Sequence, residues 1–119
     1  MQALIFLEDP QKIETVTKFL IAQRVNPVVV HTPTKAVALL ENANHYKLLV
    51  FSDDQTTERS DLHWFIENAR HLFIAGDVLF IYNNANAAVE VGHKFRRPRV
   101  RTIEGKLLSE ESLKKSFGL

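Results

Sequence analysis

Two pairs of carboxylates stand where short apolar runs end. Glu8-Asp9 follows Ala3 to Leu7, and Asp53-Asp54 follows Leu48 to Phe51 with Ser52 between. Clustered carboxylates repel, and a hard divalent cation such as Mg²⁺ relieves the repulsion because it takes oxygen ligands and keeps several waters. Such a cation also neutralises a phosphoryl group carried on a carboxylate. One pair alone is ordinary, since Asp is common in loops and caps helix N-termini. Two pairs carry meaning only if the fold sets them side by side. A second cluster is basic: Lys94, Arg96, Arg97, Arg99 and Arg101 surround Pro98. This run suits an acidic protein surface, whose approach it would steer, or the phosphates of a nucleic acid. The bland alternative is a solvated loop, because Arg and Lys are usually exposed. Alternation at 97, 99 and 101 predicts one outward strand face.

The composition narrows the chemistry further. The chain has 119 residues and 45% hydrophobic residues, enough for one compact domain and too many for a disordered tail. It has no cysteine, which excludes disulfides and thiolate metal sites and points to a cytoplasmic protein. No apolar run approaches the ~20 residues of a membrane span, and no secretory leader is evident. The net charge of +1 supplies no global field for nucleic acid, so protein contact is the favoured use of the basic run. The four glycines are scattered, with no phosphate-cradling motif after a strand. His31, His45, His63, His71 and His93 show no ligand spacing, and Trp64 is expected to pack in the core.

The elements that must position these residues alternate five times between apolar runs and helix-period segments. Strands are predicted at Ala3 to Leu7, Val28 to Val30, Leu48 to Phe51, Val78 to Tyr82 and Val100 to Ile103. Pro10 opens a first helix carrying Ile13, Val16, Phe19 and Leu20 as its apolar stripe. Thr32-Pro33 caps and opens a second, and Ser60 is expected to cap a third with Leu62, Phe65, Ile66 and Ala69 inward. A weaker fourth helix covers Ala87 to Lys94, and Ser109 caps a last one through Leu113 and Phe117. This order predicts a single α/β domain over residues 1–119, with a parallel five-stranded sheet between helical layers. Sites in such folds lie at the carboxyl ends of the strands. The first and third strands are neighbours there, which would bring the two acidic pairs together.

The segment from Leu4 to Pro10, a hydrophobic strand followed by an acidic pair and a helix start, resembles the opening of response-regulator receiver domains. The segment from Lys106 to Leu113 resembles that family's lysine motif and the cap of its last helix. Length and order of elements agree over nearly the whole chain. The resemblance implies a flavodoxin-like (βα)5, doubly wound, three-layer fold and a role in two-component signalling. It implies Mg²⁺ on Glu8, Asp9 and Asp53, with Asp53 as the phosphoacceptor. Asn83 and Lys106 would be the phosphate-sensing positions. It further implies protein partners, a histidine kinase or an output protein, and a homodimer through the last strand and helix. The basic run from Lys94 to Arg101 lies in the part of the chain that such domains use for partners.

The departures from that pattern favour a receiver that is not phosphorylated. The acceptor slot falls on Ser52 or Asp53, and a one-residue slip turns a side chain to the other face of a sheet. The fourth strand ends in Tyr82-Asn83-Asn84 with no Thr or Ser, Ile103 takes the place of the switch aromatic, and Leu107 that of the proline after the lysine. The leading reading is therefore a pseudo-receiver that is not an enzyme and needs no cofactor, or Mg²⁺ if the acidic site is functional. The alternatives are a working Mg²⁺-dependent phosphoacceptor at Asp53, a metal-dependent phosphotransfer or nuclease domain resembling Toprim, and a nucleic-acid adaptor.

Overall fold

The computed structural model describes residues 1–42, 46–53, 59–73 and 76–119, with the backbone alone at Arg59, Ser60 and Arg97. Asp54 of the second acidic pair and His45 lie outside the described residues. The strands are β1 (Gln2–Phe6), β2 (Asn26–Val30), β3 (Tyr46–Ser52), β4 (Asp77–Tyr82) and β5 (Val100–Glu104). The helices are α1 (Pro10–Ala22), α2 (Pro33–Asn42), α3 (Arg59–Leu72), α4 (Ala85–Lys94) and α5 (Glu110–Ser116). All strand pairs are parallel and the order is β2-β1-β3-β4-β5, so β1 and β3 are neighbours as predicted.

Side chains alternate across the sheet, as a strand's period of two requires. Leu4, Phe6, Leu49, Phe51, Val78 and Phe80 pack on one face beneath α2, α3 and α4. Ala3, Ile5, Val50, Leu79, Ile81 and Ile103 pack on the other beneath α1 and α5. Phe51 is the centre of an aromatic cluster, with ring centroids 4.9 Å from Phe80, 5.1 Å from Phe65 and 5.7 Å from Phe95. Because both faces are covered, the central strands read as continuous apolar runs.

Local signals account for most helix starts. The Asp9 side chain accepts from the Gln11 amide at 3.0 Å, and Pro10 occupies the first helical position. Thr32 Oγ1 accepts from the Lys35 amide at 3.2 Å. Ser109 and Ser112 cap α5 reciprocally. Four expectations are corrected. Strand β2 starts at Asn26, two residues before the expected Val28, and takes in Pro27, because an edge strand tolerates a missing N–H. Helix α3 starts at Arg59, which puts Ser60 inside the helix and not at its cap. Helix α4 starts two residues early, because Asn84 caps it by accepting from the Asn86 amide. Trp64 is 43% exposed, since Phe65 and Ile66 take the inward stripe of α3. Among the described residues no helix is long and apolar enough to cross a membrane.

Candidate functional site

The carboxyl edge of the sheet gathers the ends of β1, β3, β4 and β5. At β3 the strand itself ends in Ser52, which pairs in register with Ile81 and is completely buried. Asp53 is the first residue past the edge and is half-buried. The edge position thus belongs to Asp53. Its carboxylate accepts from the Asn83 amide at 2.8 Å through Oδ1 and from the Asn84 amide at 2.9 Å through Oδ2. Both oxygens are engaged in tying the β4–α4 loop to the end of β3, and a charged acceptor makes such bonds short and strong. The structure therefore brings Asp53 and Asn83 together through the backbone of Asn83. Asn84, which sequence reasoning passed over, has two jobs: its amide holds Asp53 and its side chain caps α4.

Two other expected members of this edge, Asp9 and Lys106, are engaged elsewhere. Asp9 caps α1. Lys106 lies on a 3₁₀ turn (Gly105–Leu107), and its ammonium pairs with Glu104 at 3.1 Å with the side chain 79% exposed. Over Gly105 a different cation appears. A Cβ built on that glycine would stand 3.1 Å from Lys12 Nζ and 2.9 Å from Asn83 Oδ1. The amine of α1 and the amide of the β4–α4 loop converge on the bare backbone after β5, and a Cβ there would make both side-chain ends shift.

A divalent cation does not fit these donors as they stand. Asp53 gives both oxygens to backbone amides and Asp9 gives one to its helix. Among the described residues no group of three or more His, Asp or Glu side chains is gathered closely enough to hold a metal ion.

Comparison with protein-family models finds no match, and comparison with curated proteins finds none. Solved structures match over nearly the whole length. A CheY-like response-regulator receiver domain protein from Methanospirillum hungatei superposes with a TM-score of 0.73 at 14% identity, covering 98% of this chain and 90% of that one. The N-terminal domain of a response regulator/sensory box/GGDEF protein from Carboxydothermus hydrogenoformans gives a TM-score of 0.73 at 15% identity, over 99% and 91%. A two-component response regulator from Legionella pneumophila gives 0.69 at 16% identity, over 99% and 95%. The chain has the receiver fold.

The basic run lies at the opposite, amino edge of this receiver fold, and its geometry differs from the expectation. Residues Arg97–Arg99 form a 3₁₀ turn and β5 begins at Val100, so positions 97, 99 and 101 do not share a strand face. Pro98, which lacks an N–H and fixes its own φ, favours the turn. Arg101 faces inward: its Nε donates to the Ser116 carbonyl at 3.0 Å, its guanidinium lies 4.7 Å over the Phe117 ring, and it pairs with Asp77 at 3.5 Å. It fastens α5 to the sheet. Lys94 pairs with Glu67 at 2.8 Å, and Arg70 pairs with the same carboxylate at 3.3 Å. The hydrogen bond from Lys94 holds the Glu67 carboxyl below its ordinary range; Arg70 and His63 add to this and desolvation opposes it.

Arg96 remains exposed after α4, held outward by a left-handed backbone (φ 68°) that is costly for a residue with a Cβ. Together with Arg70, His71 and Lys94 it rims a groove of ≈ 260 Å³ floored by Phe73 and Phe95. Sequence reasoning missed Arg70 and His71. The available signal was their place in the last turn of α3, which sets them beside the end of α4.

Proposed function

We propose that this chain is a signalling module that works as a pseudo-receiver: it presents a fixed surface to a protein partner without aspartyl phosphorylation. The observation that carries the reading is the bidentate use of Asp53. In a phosphorylation switch the acceptor carboxylate must be available to the phosphoryl group, and the loop after β4 must move towards that group when it arrives. Here the loop is already drawn onto the unmodified carboxylate through the Asn83 and Asn84 amides. The turning of Lys106 to Glu104 supports the same reading, because a sensing lysine would face the acceptor.

The partner surface we propose is the amino-edge groove, with Arg96 as its exposed cation beside Arg70, His71 and Lys94. The partner is an acidic protein segment, matched by charge. A second reading retains one observation in its favour. Asp53, not Ser52, stands at the edge of β3, where a phosphoacceptor would have to be.

The deciding experiment is a titration of Mg²⁺ with beryllofluoride, an aspartyl-phosphate mimic, followed by amide NMR. We expect the amides of Asp53, Asn83 and Asn84 to stay where they are. Saturable shifts at these amides and at Lys106 would replace the pseudo-receiver by the working phosphoacceptor.

A further inference from the structure

The bases that rim the amino-edge groove already hold an acid of the chain's own. Glu67, on α3, gives one carboxylate oxygen to each of two of them: Oε1 meets the Lys94 ammonium at 2.8 Å and Oε2 meets Arg70 Nε at 3.3 Å. Helix dipoles explain why Arg70 and Lys94 stand in the last turns of α3 and α4. They do not call for a carboxylate between the two. One oxygen would serve the i,i+3 pair with Arg70, while the other reaches across to a second helix. All three side chains are about one-third exposed, so a solute can reach them. Arg96 and His71 rim the same groove and, among the described residues, have no acidic partner.

We infer that Glu67 is a built-in competitor of the partner's carboxylates, occupying Lys94 and Arg70 until a segment with several acidic groups displaces it. The inference rests on the reading of this groove as the partner surface, and it sets which acids the groove accepts. A single carboxylate finds only Arg96 uncommitted, and one exposed ion pair stabilises little. A run of acids engages Arg96 first. Its next carboxylate is then held close by and replaces Glu67 at Lys94 and Arg70, so no cation is left unpaired. The groove thereby discriminates by the number of negative charges offered, because the resident acid rejects weaker anions. Lys94 holds the Glu67 carboxyl below its ordinary range, so the competitor is ionised wherever a partner's glutamates are.

The test is a titration with a dye-labelled peptide of about six glutamates at about 0.15 M salt, where distant charges are screened. Fluorescence anisotropy compares wild type with Glu67→Gln, Glu90→Gln and Arg96→Gln. Glutamine keeps the shape of Glu67 and removes its charge, so Glu67→Gln should bind about five- to tenfold tighter. Glu90→Gln removes the same unit of charge from α4, where Glu90 pairs with His63 at 3.6 Å and does not line the groove. It should change the affinity less than about twofold. A folded Glu67→Gln that binds no tighter than wild type overturns the inference, since Glu67 then only holds the groove in shape. An equal gain in Glu90→Gln overturns it too, because net charge alone would explain both. If Glu67→Gln proves unfolded, the wild type decides by side-chain NMR. The Lys94 ammonium and Glu67 carboxyl signals should move as the peptide saturates, and signals that stay in place overturn the inference. Failure of wild type and all variants to bind, or equal binding by wild type and Arg96→Gln, sinks the partner surface itself and the inference with it.

Discussion

The two edges of the sheet both collect charge, and they use it differently. At the carboxyl edge the carboxylates are turned into structure: Asp9 caps α1 and Asp53 ties the β4–α4 loop. At the amino edge part of the charge is spent internally, Lys94 and Arg70 on Glu67 and Arg101 on Asp77 and Ser116, while Arg96 stays outside. The helices explain why acids and bases separate this way. In a parallel α/β fold every helix begins at the carboxyl edge and ends at the amino edge, so dipoles favour acids at the first and bases at the second. The lesson is that charge following the dipoles is explained by them, and charge opposing them asks for another reason. Lys12 and Lys35, each in the first turn of its helix, run against that rule.

The comparison can be broken most severely from the shared core. Phe51→Ala removes the ring that Phe65, Phe80 and Phe95 surround, two residues before Asp53. It should cost about 3–5 kcal/mol in urea unfolding and loosen both edges together. Asp53→Ala acts on one edge only. It strips two backbone amides of their acceptor and should cost about 1–2 kcal/mol, with amide exchange at Asn83 and Asn84 accelerated while Arg96 is unaffected. Arg101→Ala tests the other edge. Losing the Ser116 hydrogen bond and the Phe117 contact should cost about 1 kcal/mol and show first as faster exchange in α5.

The smallest effect is a pH dependence. Glu67 is held below its ordinary 4.5 in the folded chain. A carboxyl lowered in the fold stabilises above its unfolded value, and that contribution is lost as pH falls through the folded value. In Lys94→Met the main cause of the lowering is gone. The gap in urea midpoint between wild type and Lys94→Met should therefore be open at neutral pH and close on acidification below about 4.5. A gap that is unchanged at low pH would mean the Lys94 stem, not its charge, supports α3 and α4.

Much of this was legible in the residues. The apolar runs at 48–51 and 78–82, the caps Thr32 and Ser109, and the strand neighbours that bring Asp53 towards the end of β1 follow from period, capping chemistry and the handedness of parallel crossovers. Such signals are local, or depend only on element order, so a single sequence carries them. It also carried the choice between two residues at the end of β3 without deciding it, because one residue of register separates Ser52 inside from Asp53 at the edge.

What only the tertiary structure decided concerns groups far apart in the chain. Arg101 read as one of five surface cations until α5 folded back and offered it a carbonyl and an aromatic ring. Arg70 and His71 joined Lys94 and Arg96 only when α3 and α4 ended side by side. Lys12, Asn83 and Gly105 come from three separate βα units, and nothing in their spacing announces that they meet. Period and capping fix where each element begins and which face it buries. Side-chain reach across the edge depends on the final docking of those elements, and it is there that this chain settles which of its charges are structure and which face a partner.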